Sequence, residues 1–527
     1  MTSAWDRISR LLHSAALAGS AAAFLAAAWR FLSSPLDHVL RIVSDDAFYY
    51  LQIARNLTRL GRSTADGLAN TNGYHPLWMA CCAVVALLVP DNETFLRTVL
   101  GLSLALQAVG AIVLFQALRR VVGSRWALTA GACWLASPLT FRIATQGVES
   151  SVYAIALLVA FAVHLRMAER DDLPPLRLSA AYGASLGAVV VARTEGIIVA
   201  AVAFGWMSYR ARRSRAGLRA EARPLAATSA AFLAVLLPWL LFSWWQVGTI
   251  VQDSGAMKAL WMTDEGFAGF SGRLRNAIFT FEYFVRGTLR WMTATIGYNV
   301  VWFLVCAAFA AAVSAVILTR PRSPQSRALG ATLAPAAAIW LTYCLALGER
   351  QLWWMTFPGL VCILTTIVCL QALLESAPSG VRSLQPWIQI ALIVAATIVF
   401  VRWDRRGEVM YPWHPDVRRS QAMVEAMVPP PARIGCFNAG IPLFFGSGRV
   451  AALDGLVNHR ARLFWQAHRV DDYLREQHIE YVADERFAIG RALRFSREQP
   501  ALQIQARFPL TNWPSGDRFL WKIVRYN

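Results

Sequence analysis

The sequence predicts a polytopic α-helical membrane protein, with about 11 membrane-crossing helices and a small C-terminal α/β domain outside the membrane. Three observations predict it. Of 527 residues, 56% are hydrophobic and the mean hydropathy is +0.42, too apolar for a soluble chain of this length. Nearly uncharged stretches recur, each close to the roughly 20 residues that cross about 30 Å of hydrocarbon. From Asp404 onward the composition turns polar and mixed.

The first apolar segment, Ser14 to Leu32, is longer than the hydrophobic part of a secretory signal and reads as a retained helix. Further spans follow at about 97–118, 126–141, 149–165, 178–192, 195–209, 225–246, 294–318, 328–347, 352–374 and 387–402. Arginine sets their orientation. The formal net charge is +19, and Lys258 and Lys522 are the only lysines. The arginines concentrate in loops 119–125, 166–177, 209–223, 319–327 and around Arg382. With the N-terminus inside, all of these face the cytoplasm, as the positive-inside rule requires. So basic a chain raises nucleic acid as a partner, but charge confined to short interhelical loops argues against it. Eight cysteines, mostly within apolar segments and without metal-type spacing, give no disulfide framework and no zinc site.

The apolar stretch His75 to Pro90 is short for a span, and a crossing there would turn every arginine-rich loop outward. It reads as a helix lying against or re-entering the outer leaflet. Residues 33–96 then form one external loop. Within it, Asp45 and Asp46 precede a helical run from Ala47 to Leu60. Adjacent carboxylates at a membrane surface suit a general base toward a hydroxyl, or a divalent cation. Ser44-Asp45-Asp46 equally suits a helix N-cap, and the two roles are compatible. Tyr49, Gln52, Ile53 and Asn56, three or four apart, share a helix face that suits sugar hydroxyls or an interfacial aromatic belt. In NTNGYHPLW, Asn72-Gly73 signals a turn and Pro76 breaks or begins a helix. His75 suits a phosphate contact, a proton transfer or the turn itself.

Other external turns each carry an ionisable group. Glu149 starts a span, ARTEG holds Arg193 and Glu195, the next tight turn holds Glu349 and Arg350, and VQDSGAMKALW holds Lys258. Snorkelling and helix capping account for each singly. All lie on the acid-pair side, so together they suit one converging site. A base and cations facing outward beside lipid suit displacement of a lipid-phosphate leaving group. One-step attack from the opposite face would invert the anomeric carbon. In the C-terminal part, ARIGCFNAGI and RVAALDGLVN read as short strands, 461–477 as an amphipathic helix and IEYVADE as another strand. That alternation suggests a small α/β domain, and an odd number of spans places it outside.

The loop carrying DDAFYYLQIARN and TNGYHPLW resembles the GT-C superfamily of membrane glycosyltransferases. It looks closest to bacterial members related to the protein mannosyltransferase and aminoarabinose transferase families, and arabinofuranosyltransferases share a similar DDAF start. GVES, ARTEG and SGAMK also resemble recurring elements of that group. The segment FNAGIPLFFGSGRVAALDGLVNHR, where Asp454, Gly455 and Asn458 stand out, is similar to its tails. The resemblance implies a GT-C fold and a polyprenyl-phosphate-linked sugar as donor. It implies Asp45 as base, with Asp46 supporting it or helping to bind Mg or Mn. It also implies Arg193 and Lys258 on the donor phosphate. The residue pattern adds His75 to the phosphate side, and Tyr49, Gln52, Asn72, Glu149 and Glu195 to the substrates. The short Lys258 loop departs from the longer metal-binding loops of oligosaccharyltransferases.

The expected organisation is a membrane domain over 1–403 and an extracytoplasmic domain over 404–527, in the inner membrane, with the site facing the periplasm or cell exterior. The expected reaction is inverting transfer to an envelope glycan, lipid or protein. A flippase of lipid-linked sugar and a glycan-binding assembly protein are the alternative readings. A flippase would show paired broken helices with acids at mid-membrane.

Overall fold

The apolar runs fold as helices, as hydrocarbon demands of a chain with so much backbone to satisfy. The computed structural model describes residues 4–170, 172–213, 218–262, 269, 271–275, 311–320, 323–346, 356–513 and 516–526. Among these, six helices are long and apolar enough to cross a membrane: Trp5–Ser33, Asn92–Val122, Ser150–Ala168, Arg219–Val247, Thr356–Ser376 and Gln385–Arg406. The chain is a multi-pass membrane protein.

In chain order the first elements are α1 (Ala4–Ser33), α2 (Leu36–Leu40), α3 (Asp45–Leu60), α4 (Pro76–Leu88), α5 (Asn92–Val122) and α6 (Ser124–Leu135). Next come α7 (Pro138–Ala144), α8 (Ser150–Ala168), α9 (Leu176–Ala192), α10 (Gly196–Arg213), α11 (Leu218–Val247) and α12 (Asp253–Met262). The expected span 126–141 is not one helix but α6 followed by α7. Ser137 caps the second by accepting the Thr140 amide at 3.3 Å, and Pro138 opens it. Most of 294–318 lies outside the described residues, as do Glu349 and Arg350.

Three helices occupy the first loop. Ser44 Oγ accepts the Asp46 amide at 3.2 Å, and Gly61 ends α3 at φ 65°. The helix starts at Asp45 rather than Ala47, so both carboxylates ride on its first turn, where the helix dipole favours negative charge. At 13 residues α4 is about 20 Å long, short of the hydrocarbon thickness. It packs on α3, α5 and α9, with Trp78 buried and donating to the Gly147 carbonyl at 3.1 Å.

The C-terminal part holds a five-stranded sheet of order β2-β1-β3-β5-β4. Its strands are β1 (Arg433–Cys436), β2 (Val450–Ala452), β3 (Ile479–Glu485), β4 (Pro500–Phe508) and β5 (Arg518–Tyr526). β1 runs parallel to β2 and β3, and β5 antiparallel to β3 and β4. The expected helix 461–477 is two, His459–Gln466 and Val470–Glu476, because His468 turns the chain between them at φ 53°.

One hydrophobic core runs from the helical bundle into this sheet. Phe48 meets Phe444 and Phe445 at ring-centroid distances of 5.7 and 5.8 Å, and the Arg55 guanidinium lies 4.8 Å over the Phe444 ring. A second core surrounds Trp465 in the C-terminal part, and Met257 and Trp261 of α12 belong to it.

Candidate active site

Spacing along α3 decides what it presents. Asp46, Tyr49, Tyr50 and Ile53 fall at i, i+3, i+4 and i+7, one face of a helix, and all four line a cavity of about 70 Å³. The turn Gly73–His75, Glu149 before α8 and Arg193 after α9 close it from the membrane part. Ser254 and Lys258, one turn apart on α12, form another wall, and Leu456 and Val457 arrive from the C-terminal part.

Asp45 is turned about 100° away from Asp46 around the helix and does not line the cavity. Its carboxylate accepts the Gly440 and Ile441 amides at 3.1 and 3.0 Å. The approach needs glycine, since a Cβ at 440 would lie 2.4 Å from the Asp45 carbonyl oxygen. Burial, only partly offset by those amides, and the Asp46 charge push the Asp45 carboxyl up to about 7.

The two tyrosines repeat one arrangement on two partners. Tyr49 donates to Asp454 Oδ2 at 2.5 Å and accepts the Ala439 amide at 3.0 Å. Tyr50 donates to Glu149 Oε2 at 2.9 Å and accepts the His75 amide at 3.1 Å. Asp454 also accepts the Leu456 amide at 2.9 Å. Burial lifts its carboxyl to about 7 despite those donors.

Arg193 is held between two carboxylates, reaching Glu149 Oε1 at 2.6 Å and Glu195 Oε2 at 3.0 Å. Tyr343 also donates to Glu195. Burial works against the Arg193 charge, but Glu195 and Glu149 more than restore it and raise its pKa. Burial holds the His75 imidazole down to about 4, so it is neutral at pH 7. Its Nε2 lies 3.7 Å from Glu149 Oε1.

Of the residues predicted from sequence, Asp46, Tyr49, His75, Glu149, Arg193 and Lys258 line one cavity; Asp45, Gln52, Asn72 and Glu195 do not. Gln52 donates to Asn56 at 3.4 Å, and Asn56 in turn holds the Thr64 and Ala65 carbonyls. Asn72 is fully buried, with its amide on Ser243 Oγ and the Val251 carbonyl and its oxygen on the Asp253 amide. Asn72 thus ties the first loop to α11 and α12, as a buried polar side chain must find partners, whereas half-buried Gln52 bonds within its own helix. Glu195 stands behind Arg193. Sequence reasoning missed Tyr50, which the i, i+4 spacing from Asp46 would have found, and Ser254, which precedes Lys258 by one turn.

Among the described residues no group of three or more His, Cys, Asp or Glu side chains is placed to hold a metal ion. Two neighbouring carboxylates are engaged, Asp45 by two amides and Glu149 by Tyr50 and Arg193.

No family model and no curated protein matches the chain. Solved structures do. ArnT from Cupriavidus metallidurans bound to undecaprenyl phosphate superposes with a TM-score of 0.55 at 14% identity, covering 95% of this chain and 97% of that one. The oligosaccharyltransferase AglB from Archaeoglobus fulgidus, in complex with an inhibitory peptide and a dolichol-phosphate, gives 0.53 at 12% identity, covering 92% and 70%. At such identities the likeness speaks for architecture alone: the chain shares the GT-C fold of these two structures.

Proposed function

We propose that the chain is an inverting glycosyltransferase that moves a sugar from a polyprenyl-phosphate donor to a hydroxyl of an envelope glycan, lipid or protein. One observation carries the reading: a single cavity beside the bundle holds a carboxylate, Asp46, and an ammonium, Lys258, next to a neutral imidazole. The solved structures of like fold that contain undecaprenyl phosphate or a dolichol-phosphate support a lipid phosphate as the donor's leaving group.

In this reading Asp46 takes the acceptor O–H proton while the acceptor oxygen attacks the anomeric carbon. The bond from that carbon to the phosphate oxygen breaks, and its electron pair leaves with the polyprenyl phosphate. Lys258 offsets the charge that develops there, and the His75 ring N–H donates to a phosphate oxygen. Arg193 has both terminal nitrogens committed to Glu149 and Glu195, so its part is to fix the wall rather than to bind phosphate. The base role moves from Asp45, favoured by the resemblance, to Asp46, because the Asp45 oxygens are turned to Gly440 and Ile441. The active face is then the extracytoplasmic one, in the inner membrane.

The test supplies purified protein with undecaprenyl-phosphate-linked arabinose, aminoarabinose and mannose in turn and follows release of undecaprenyl phosphate. Loss of a general base lowers turnover by about 10²–10⁴, and that loss is expected for Asp46→Asn. If Asp46→Asn turns over normally while Asp45→Asn does not, the base is Asp45. If purified wild-type protein moves labelled lipid-linked sugar across vesicles and forms no glycosidic bond, the transferase reading fails.

A further inference from the structure

The helix that brings Lys258 to the cavity is built as part of two bodies at once. On α12, Ser254 and Lys258 line the cavity. On the neighbouring face, Met257 and Trp261 are buried in the core of the C-terminal part. The Trp261 ring lies 6.5 Å from that of Trp465, with the Arg491 guanidinium 5.1 Å over it. A Cβ at Gly455 would come within 3.0 Å of Met257 Sδ, which shows how closely the segment fits.

At the start of the same helix, fully buried Asp253 joins three parts of the fold. It accepts from Arg462 Nε at 2.7 Å and His459 Nδ1 at 2.8 Å, both from the C-terminal part. It also accepts from Thr71 Oγ1 at 3.2 Å and the Asn72 amide at 3.4 Å, both from the first loop. The Asp253 amide in turn donates to Asn72 Oδ1 at 3.0 Å. Five residues on from this anchor stands Lys258.

We infer that Asp253 is a positioning residue: through Arg462, His459 and the first loop it fixes α12, so that the C-terminal part sets where the Lys258 ammonium stands in the cavity. Asp253 does not itself line the cavity. The inference rests on the proposed role of Lys258 toward a lipid phosphate, and the experiment separates the two.

Undecaprenyl phosphate is titrated into the full-length protein in detergent, well below its thermal midpoint, with binding read by native mass spectrometry. Wild type, Asp253→Asn, Lys258→Ala and the double variant form one cycle. Asp253→Asn is expected to bind about tenfold more weakly than wild type, a coupling of ordinary size for a supporting contact. In the Lys258→Ala background the same substitution should change nothing further, because its effect acts through Lys258. A merely structural Asp253 would lower the thermal midpoint and leave the affinity alone, which overturns the inference. An equal loss in both backgrounds overturns it too. If Lys258→Ala binds as wild type, it is the phosphate role of Lys258 that fails. Should Asp253→Asn not fold, Trp261→Leu takes its place in the cycle, loosening the same helix from the C-terminal core. Wild-type affinity in Trp261→Leu then overturns the inference.

Discussion

Asp454 offers the sharpest quantitative test of the junction between α3 and the C-terminal part. Its carboxyl is 3% exposed and sits at about 7, against an ordinary value of 3.8. The difference of about 3 pH units corresponds to roughly 4 kcal/mol between the two protonation states. A carboxyl raised in the folded state lends stability that is full below the unfolded value and is lost as pH rises through the folded one. Here the loss runs from about pH 4 to about pH 7, and between pH 5 and pH 8 it amounts to about 2–3 kcal/mol from this group. Asp454→Asn keeps an oxygen for the Tyr49 hydroxyl and removes the titration. The raw curve of wild type is not the readout, because Asp45, also raised to about 7, titrates over the same range, and buried neutral His75 and His414, held down to about 4 and about 3, act oppositely at the acid end. The readout is the difference between wild type and variant. Thermal midpoints in detergent, scanned from pH 5 to pH 8, should show wild type losing ground to Asp454→Asn as pH rises. Parallel curves over that range would refute the buried, proton-holding junction.

Two further substitutions probe the walls. A Cβ at Gly73 would lie 1.9 Å from the Leu456 carbonyl oxygen, so Gly73→Ala should push the first loop off the C-terminal part at a cost of about 1–3 kcal/mol or more; a variant with the wild-type thermal midpoint and the wild-type lipid-phosphate affinity would show that this approach is not held. Arg193→Met leaves Glu149 and Glu195 buried without their cation and should destabilise by about 3–5 kcal/mol. Adding Glu195→Gln should recover part of that in thermal unfolding, and no recovery would mean that the ion chain is not what Arg193 supports.

Much of the fold was legible because the bilayer imposes its rules on short windows. Hydropathy found the long apolar helices, six of which among the described residues are long enough to cross a membrane, and a 13-residue α4 follows from the brevity of the stretch after His75. Hydropathy alone also joined α6 to α7, because the helix start at Ser137-Pro138 is a capping signal that apolar averaging does not weigh. The cavity was legible where charge at a helix boundary is conspicuous: Asp46, Glu149, Arg193 and Lys258 stand out because hydrocarbon tolerates so few charges nearby.

What the sequence could not show is which of two neighbouring carboxylates faces that cavity. Rotation about α3 is set by what seats on it, and the amides that claim Asp45 lie 395 and 396 residues downstream. No local pattern encodes such a contact, and Asp45 and Asp46 are chemically equal until the C-terminal part arrives. The same holds for Gln52 and Asn72, whose amides would suit a sugar as well as they suit the carbonyls and hydroxyls that take them. Of the two adjacent carboxylates, the C-terminal part claims Asp45 for two of its own amides, and Asp46 is the one on the cavity wall.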